Sequence, residues 1–115
     1  MNIEMRNSNG TTIIDVGGHI DIASSPTLRK TMLASVKTSD RLAVNLSAVK
    51  YIDSSGIASL LEVLKESRAN HKKFALFGLT DAVREVLQLT RLTSVFEIHE
   101  SEQEALEAAL RSQVP

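Results

Sequence analysis

Four consecutive residues near the middle of the chain, Asp53-Ser54-Ser55-Gly56, place a carboxylate beside two hydroxyl groups. An apolar run precedes them and apolar residues at helical spacing follow them, so they lie where a strand is predicted to turn into a helix. A serine at such a junction is exposed, and the free amide groups and positive dipole end of the helix would stabilise a phosphate on it. The pattern indicates a serine that can be modified, although a serine that only caps the helix is the simpler interpretation.

Phosphorylation at this junction would change the surface strongly. It adds about −1.5 to −2 charges beside Asp53, and Gly56, which has no side chain, would let another molecule approach the backbone closely. A partner that lost about 3 kcal/mol of binding free energy would bind roughly a hundredfold more weakly. We therefore expect a site that can report its modification to a partner.

Enzymatic and metal-binding alternatives have weaker support in the sequence. No Gly-x-Ser-x-Gly pattern surrounds Ser54, and neither common phosphate-loop pattern occurs. The three histidines, His19, His71 and His99, lack metal-ligand spacing. Asp21 and Asp53 could pair as acid and base or bind magnesium, but two carboxylates near a helix start more often act as caps. We predict no catalytic residue, no metal site and no cofactor, and hence a protein that is not an enzyme.

The segments before the motif predict how the chain begins. Ile3 to Met5 alternates apolar and polar residues, Thr11 to Val16 is rich in β-branched residues, and Asn9-Gly10 between them is a hairpin signal. The chain should therefore open with an antiparallel hairpin, whose second strand ends in a turn at Gly17-Gly18.

Strands and helices are then predicted to alternate. Short buried strands are expected at 42–46, 74–77 and 95–98. The first helix follows a cap within Ser24-Ser25 and runs from Pro26, its first helical residue, to residue 37. The second helix spans 55–69, and the third and fourth follow caps at Thr80 and at the capping box Ser101-x-x-Glu104. The chain end at 113–115 is expected to fray. The residues predicted to face inward are Leu28, Met32 and Val36 in the first helix, Leu60, Leu61 and Leu64 in the second, Val83, Val86, Leu87 and Thr90 in the third, and Ala105, Leu106, Ala109 and Leu110 in the fourth.

This order of elements predicts one α/β domain over 1–115, with helices packed on a mostly parallel sheet of about five strands and one antiparallel edge strand. With 13 Lys and Arg against 14 Asp and Glu, the molecule has no strong field to attract nucleic acid or an anionic membrane. The count of 0 Cys fits a reducing cytosol, and no apolar run is long enough to span a bilayer. We expect a cytoplasmic protein without direct nucleic-acid binding or membrane insertion.

Several blocks of the sequence resemble one known family. They are Gly18-His19-Ile20-Asp21, the run from Leu42 to Ser47, the run from Val49 through the motif to Ile57, Leu87 to Leu92, and Phe96-Glu97-Ile98. Their order and content are similar to those of STAS-domain anti-sigma factor antagonists. The Asp-Ser-Ser-Gly block is the specific part of the resemblance.

The resemblance implies a switch between partners. In that family an anti-sigma factor that is also a serine kinase phosphorylates the serine directly after the aspartate, which here is Ser54, with Ser55 as the alternative acceptor. The unphosphorylated form captures the anti-sigma factor, and a phosphatase would reset the switch. Asp53 would position the hydroxyl or help to arrange the kinase's active site, and Asp21 would lie close to the same site.

The resemblance also implies a docking surface at the start of the helix after the motif. Its candidate contacts are Ile57, Ser59, Glu62 and Val63, of which Val63 lies off the inward stripe, together with His19 on the neighbouring turn. Arg91 replaces a glycine that is common in the family, which argues against a left-handed helix end there. The alternative function is a constitutive STAS adaptor subunit that binds the ATPase of a lipid-trafficking ABC transporter.

Overall fold

An antiparallel hairpin opens the fold in the computed structural model, which describes residues 1–111. Strand β1 (Asn2–Ser8) pairs with β2 (Thr11–Ile20) across Asn9-Gly10. Both turn residues have positive φ angles, 51° and 87°, as a tight hairpin turn requires. The predicted hairpin is confirmed.

Three parallel strands extend the sheet from β2, and four helices cover it. The strands are β3 (Arg41–Ile52), β4 (Lys73–Phe77) and β5 (Glu97–His99), and the helices are α1 (Ser25–Thr38), α2 (Ser54–Ala69), α3 (Asp81–Leu89) and α4 (Glu102–Arg111). The strand order is β1-β2-β3-β4-β5, with β1 as the antiparallel edge strand. The predicted α/β class, the mixed sheet and the order of its elements are confirmed.

The core forms in two layers on the two faces of the sheet. Helices α1, α2 and α3 cover one face and bury most of the large aliphatic side chains, including Met32, Leu60 and Leu87. Helix α4 covers the other face, where Ala105 packs with Ile13 and Phe77. Because both faces are covered, the central strands are nearly continuous apolar runs.

Three strands differ in length from the prediction: β2 and β3, the latter predicted at 42–46, run on past Gly17-Gly18 to Ile20 and Ile52, and β5 is shorter. Strand β2 continues through Gly17-Gly18, where a turn was predicted. Gly17 lies so close to β3 that a Cβ atom there would be 3.3 Å from the Cβ of Ala48, and Gly18 has a φ of +87°. Strand β3 carries one extra residue against β2 on each side of this pair, so both strands run on to the same sheet edge. The last strand is shorter than predicted, because Val95 and Phe96 belong to the preceding loop, from which Phe96 still packs into the core.

Some predicted caps and inward residues are also wrong. Helix α1 begins at Ser25, one residue before the predicted start, and the hydroxyl of Ser24 donates to the carbonyl of His19 over 2.9 Å and does not cap the helix. Thr90 and Leu110 are exposed, because α3 and α4 bury narrower stripes than their patterns indicate. The caps at Thr80 and Ser101 are confirmed, because each hydroxyl accepts the amide of the third residue of its helix. The prediction of a frayed end at 113–115 lies outside the described residues.

The end of α3 is left-handed, although it carries arginine. Arg91 has a φ of 59°, its amide donates to the carbonyl of Gln88 over 3.1 Å, and the amide of Leu92 donates to the carbonyl of Leu87 over 2.8 Å. These two bonds are those of a glycine-type helix end. The expectation that Arg91 argues against this geometry is wrong.

Candidate functional site

The site lies at the sheet edge where β2 and β3 end side by side. Ile20 and Ile52, the last residues of these strands, are paired, and the amide of Asp53 donates to the carbonyl of Ile20 over 3.1 Å. Helices α1 and α2 both start from this edge, because each follows one of the two parallel strands. Asp21 and Asp53 therefore stand in equivalent places after neighbouring strands.

Asp53 is the residue that caps α2. Its Oδ1 accepts hydrogen bonds from the amides of Ser55, over 2.9 Å, and Gly56, over 3.3 Å. The same oxygen accepts the hydroxyl of Ser55 over 2.5 Å. That hydroxyl bond, helped by the backbone amides of Gly56, Ser55 and Ile22, lowers the pKa of Asp53 below its usual value. The carboxylate is thus held ionised by the first turn of the helix.

The two serines of the motif have different environments. Ser55 is half-buried and bound to Asp53, whereas Ser54 is exposed and its hydroxyl has no hydrogen-bond partner among residues 1–111. The simpler interpretation, in which Ser54 caps the helix, is wrong because Asp53 makes the capping bonds. Asp53 also contacts the hydroxyl of Ser55 and not that of Ser54, which it was expected to position.

Gly56 serves the packing of the helix rather than the approach of a partner. It is buried, and a Cβ atom at this position would lie 2.7 Å from side-chain atoms of both Ile20 and Ile52. The absence of a side chain allows α2 to start directly on the ends of the two strands. The expectation that Gly56 opens the backbone to another molecule is therefore wrong.

Three of the predicted docking residues are buried. Val63 has 0% of its surface exposed, and Ile57 and Ser59 have 6% each. Helix α2 packs against the sheet on one side and against α1 on another, so more of its circumference is buried than the one predicted inward face. The hydroxyl of Ser59 donates to the carbonyl of Ser55 over 3.0 Å. Of the predicted contacts on α2, Glu62 is the one with an exposed side chain.

Two exposed side chains that were not predicted, Ile22 and Tyr51, lie near the motif together with the predicted His19. Tyr51, which is 47% exposed, lies opposite His19 on the paired strands with ring centroids 5.7 Å apart. Ile22, which is 79% exposed, follows Asp21 in the turn before α1. Tyr51 lies two residues before Asp53 and Ile22 lies directly after Asp21, and this proximity was the signal in the sequence. We call His19, Ile22 and Tyr51 the rim.

A shallow groove between α1 and α2 continues from the site. Its volume is about 220 Å³, and its lining residues are Ser25, Pro26, Arg29, Ser55, Ala58, Ser59 and Glu62. Arg29 Nη1 lies 3.3 Å from Glu62 Oε2 across this groove, and both side chains are about half exposed. The groove therefore brings a cation of α1 next to the first turns of α2.

The other predicted chemistry-bearing residues make contacts of their own outside the motif. Asp21 Oδ1 accepts the amides of Ala23 and Ser24, so this carboxylate holds its own turn. His71 follows the far end of α2, and His99 contacts Glu97 over 2.8 Å on the edge strand β5. Within residues 1–111, no three His, Asp or Glu side chains are grouped so that they could hold a metal ion, and no helix is long and apolar enough to cross a membrane.

Comparison with known proteins agrees with this architecture. Residues 2–105 match the model of the STAS domain. The chain is 27% identical over 101 residues to the anti-sigma-B factor antagonist of Staphylococcus aureus, covering 87% of this chain and 94% of the relative. It is 30% identical over 92 residues to the anti-sigma-B factor antagonist of Listeria monocytogenes, covering 79% of this chain and 81% of the relative.

Solved structures share the fold. The anti-sigma factor antagonist SpoIIAA in its unphosphorylated form superposes with a TM-score of 0.80 at 20% identity, over 99% of this chain and 100% of that one. SpoIIAA of Bacillus in its phosphorylated form superposes with a TM-score of 0.73 at 19% identity, over 93% of this chain and 98% of that one.

Proposed function

This chain belongs to the STAS-domain family, and on that premise we propose that it is an anti-sigma factor antagonist controlled by phosphorylation. Unphosphorylated, it binds an anti-sigma factor that is a serine kinase and thereby frees a sigma factor. The kinase transfers the γ-phosphoryl group of ATP to the Ser54 hydroxyl, and the modified protein is released. A serine phosphatase restores the hydroxyl. These partners place the protein in the cytoplasm.

The observation that carries this proposal is the contrast between the two serines. Ser54 presents a hydroxyl that has no partner among residues 1–111 at an exposed helix start, whereas the hydroxyl of Ser55 is bound to Asp53. A kinase that modified Ser55 would first have to break this bond. Asp53 Oδ1 accepts three hydrogen bonds, so this oxygen holds the start of α2 and the Ser55 hydroxyl.

Release follows from the character of the surface around Ser54. Ile22 and Tyr51 offer apolar area that a partner can cover, and no unpaired charge of their own. A phosphate adds about −1.5 to −2 charges beside this area, and its water must be removed when the partner binds. A cost of about 3 kcal/mol suffices for a hundredfold loss of affinity. The protein thus acts by binding and supplies no catalytic group.

The test is phosphorylation by the anti-sigma kinase from the same organism with ATP, followed by mass spectrometry of the peptide that contains the motif. We expect one phosphate on Ser54. Ser54→Ala should accept none, and Ser55→Ala should still accept one. A phosphate on Ser55, or incorporation into Ser54→Ala, would assign the acceptor role to the other serine.

Binding of the kinase should then depend on position 54. Ser54→Ala should stay bound in the presence of ATP, and Ser54→Asp should bind at least tenfold more weakly. Equal affinity of Ser54→Ala and Ser54→Asp would contradict the switch. Co-purification of both variants with a transporter ATPase would instead support the constitutive adaptor function.

A further inference from the structure

Arg29 of α1 faces a stripe of residues on α2 that includes the proposed acceptor, Ser54. Ser54, Ala58 and Glu62 are spaced four residues apart, so they lie on one face of α2. Ala58 and Glu62 line the groove into which Arg29 projects, and Arg29 binds Glu62 there over 3.3 Å. Arg29 is therefore paired with Glu62 at one end of the stripe, and the proposed acceptor Ser54 forms the other end.

The distance between the two ends of the stripe is within reach of one arginine. Eight residues of α-helix span about 12 Å along the axis. Arg29 lies between these two ends, because the groove that it lines extends from Ser55, next to position 54, to Glu62. The intervening residue is alanine, which leaves the path along the groove open. By changing its rotamer, the Arg29 side chain can thus leave Glu62 and reach a phosphate on Ser54.

A phosphate at Ser54 would compete for Arg29 with two advantages. It carries more negative charge than the Glu62 carboxylate and offers three acceptor oxygens to the planar guanidinium. The existing Arg29–Glu62 pair is a weak competitor, because it is about half exposed on both sides and its atoms are 3.3 Å apart.

From this geometry we infer that Arg29 is a phosphate-sensing residue, which leaves Glu62 and binds the phosphate once Ser54 is phosphorylated. The inference rests on the proposed function for the existence of that phosphate. If Arg29 moves in this way, phosphorylation leaves negative charge at two positions, the phosphate and Glu62. Arg29 partly neutralises the phosphate, and Glu62, two helical turns away, becomes an unpaired carboxylate on the exposed face of α2.

The test places phosphoserine at position 54 by genetic encoding, so that it needs no kinase. The second pKa of the phosphate, ordinarily about 6, is followed by ³¹P NMR. Arg29→Gln should raise it by about 0.2 to 0.7 unit, as expected for a half-exposed ion pair. Lys30→Gln, which removes the same charge one residue along α1, is the matched control and should shift it less. Equal shifts in the two variants would show a general field effect and overturn the inference.

Glu62→Gln supplies the second arm of the test. It removes the competitor, so the pKa of the phosphate should fall below that of the unmutated protein, and this fall should shrink in the Arg29→Gln background. Additive effects of the two substitutions would contradict the exchange. Because the phosphoserine is encoded, failure of this experiment is distinct from failure of the kinase to recognise Ser54.

Discussion

The hydroxyl of Ser55 donates to Asp53 Oδ1 over 2.5 Å, and this contact gives the two adjacent serines different roles. Ser55 becomes part of the cap that starts α2, together with the amides of Ser55 and Gly56 on the same oxygen. Ser54, one residue earlier, keeps a hydroxyl with no partner among the described residues. The helix can therefore keep its cap while the neighbouring serine changes its chemical state.

Substitution of each serine by alanine should separate these roles. Ser54→Ala should change the free energy of unfolding by less than about 0.5 kcal/mol, as is usual at the surface. Ser55→Ala should lower it by more than that, because a charge-assisted hydrogen bond is lost. Urea unfolding at neutral pH measures both, and equal effects of the two substitutions would contradict the assignment.

The cap also predicts a dependence on pH. The folded-state pKa of Asp53 is below its unfolded value, so the stability that it provides is present above about pH 4 and is lost as the pH falls through the folded pKa. Loss of the Ser55 hydroxyl, the largest cause of the shift, should raise the pKa of Asp53. Carboxyl ¹³C NMR measures this pKa directly, and the stability gap between the unmutated protein and Ser55→Ala should narrow in acid. An unchanged pKa in Ser55→Ala would count against this bond.

Gly56→Ala should destabilise the protein although alanine is the better helix former. The added Cβ would lie 2.7 Å from atoms of Ile20 and Ile52, which overpacks the junction and should cost about 1 to 3 kcal/mol. Ala58→Gly, at an exposed position on the same helix, should cost about 1 kcal/mol from helix propensity alone. Thermal unfolding compares the two variants. A stabilised Gly56→Ala would show that propensity outweighs packing here.

Local signals in the sequence predict much of this fold. Asn9-Gly10 predicts the hairpin, Pro26 and Thr80 predict helix starts, and the apolar runs predict the order of strands and helices. The position of the motif at a strand–helix junction also follows from such signals, because each acts within a few residues.

Features that depend on packing between distant segments were not predictable in this way. Val63 is buried because α1 lies beside α2, which the periodicity of α2 alone does not show. The choice of Asp53 over Ser54 as the cap depends on backbone geometry at the junction, since both residue types cap helices well. Ile22 and Tyr51 lie where two strands end side by side, and their exposure depends on how these two distant segments meet.

Arg91→Gly should stabilise the end of α3. Arg91 has a φ of 59°, which costs a residue with a side chain about 1 to 2 kcal/mol and costs glycine almost nothing. The greater freedom of glycine in the unfolded chain offsets part of the gain, so we expect a net increase of about 0.5 to 1 kcal/mol in the free energy of unfolding. Gln88→Gly, inside the same helix, is the control and should be destabilising. A loss of stability in Arg91→Gly would show that the arginine side chain makes a compensating contact.

Ile22→Ser should weaken binding of the proposed kinase partner without weakening the fold. Ile22 is 79% exposed on the rim beside Ser54, so its apolar area is free for a partner to cover. Burial of an isoleucine side chain is worth about 1.5 to 3 kcal/mol, and loss of it should reduce affinity about tenfold or more.

Leu89→Ser provides a matched control for this experiment. Leu89 is 76% exposed, nearly the same as Ile22, but it ends α3, which runs away from the site edge along the sheet. Removal of its apolar area should leave affinity unchanged, as measured by calorimetric titration of unphosphorylated protein into the kinase. Equal losses in the two variants would indicate a general effect of surface hydrophobicity. A loss confined to Leu89→Ser would place the partner near the end of α3, at the opposite end of the strands from the motif. Helix α3 is about 13 Å long, so a phosphate on Ser54 could then not repel the partner directly.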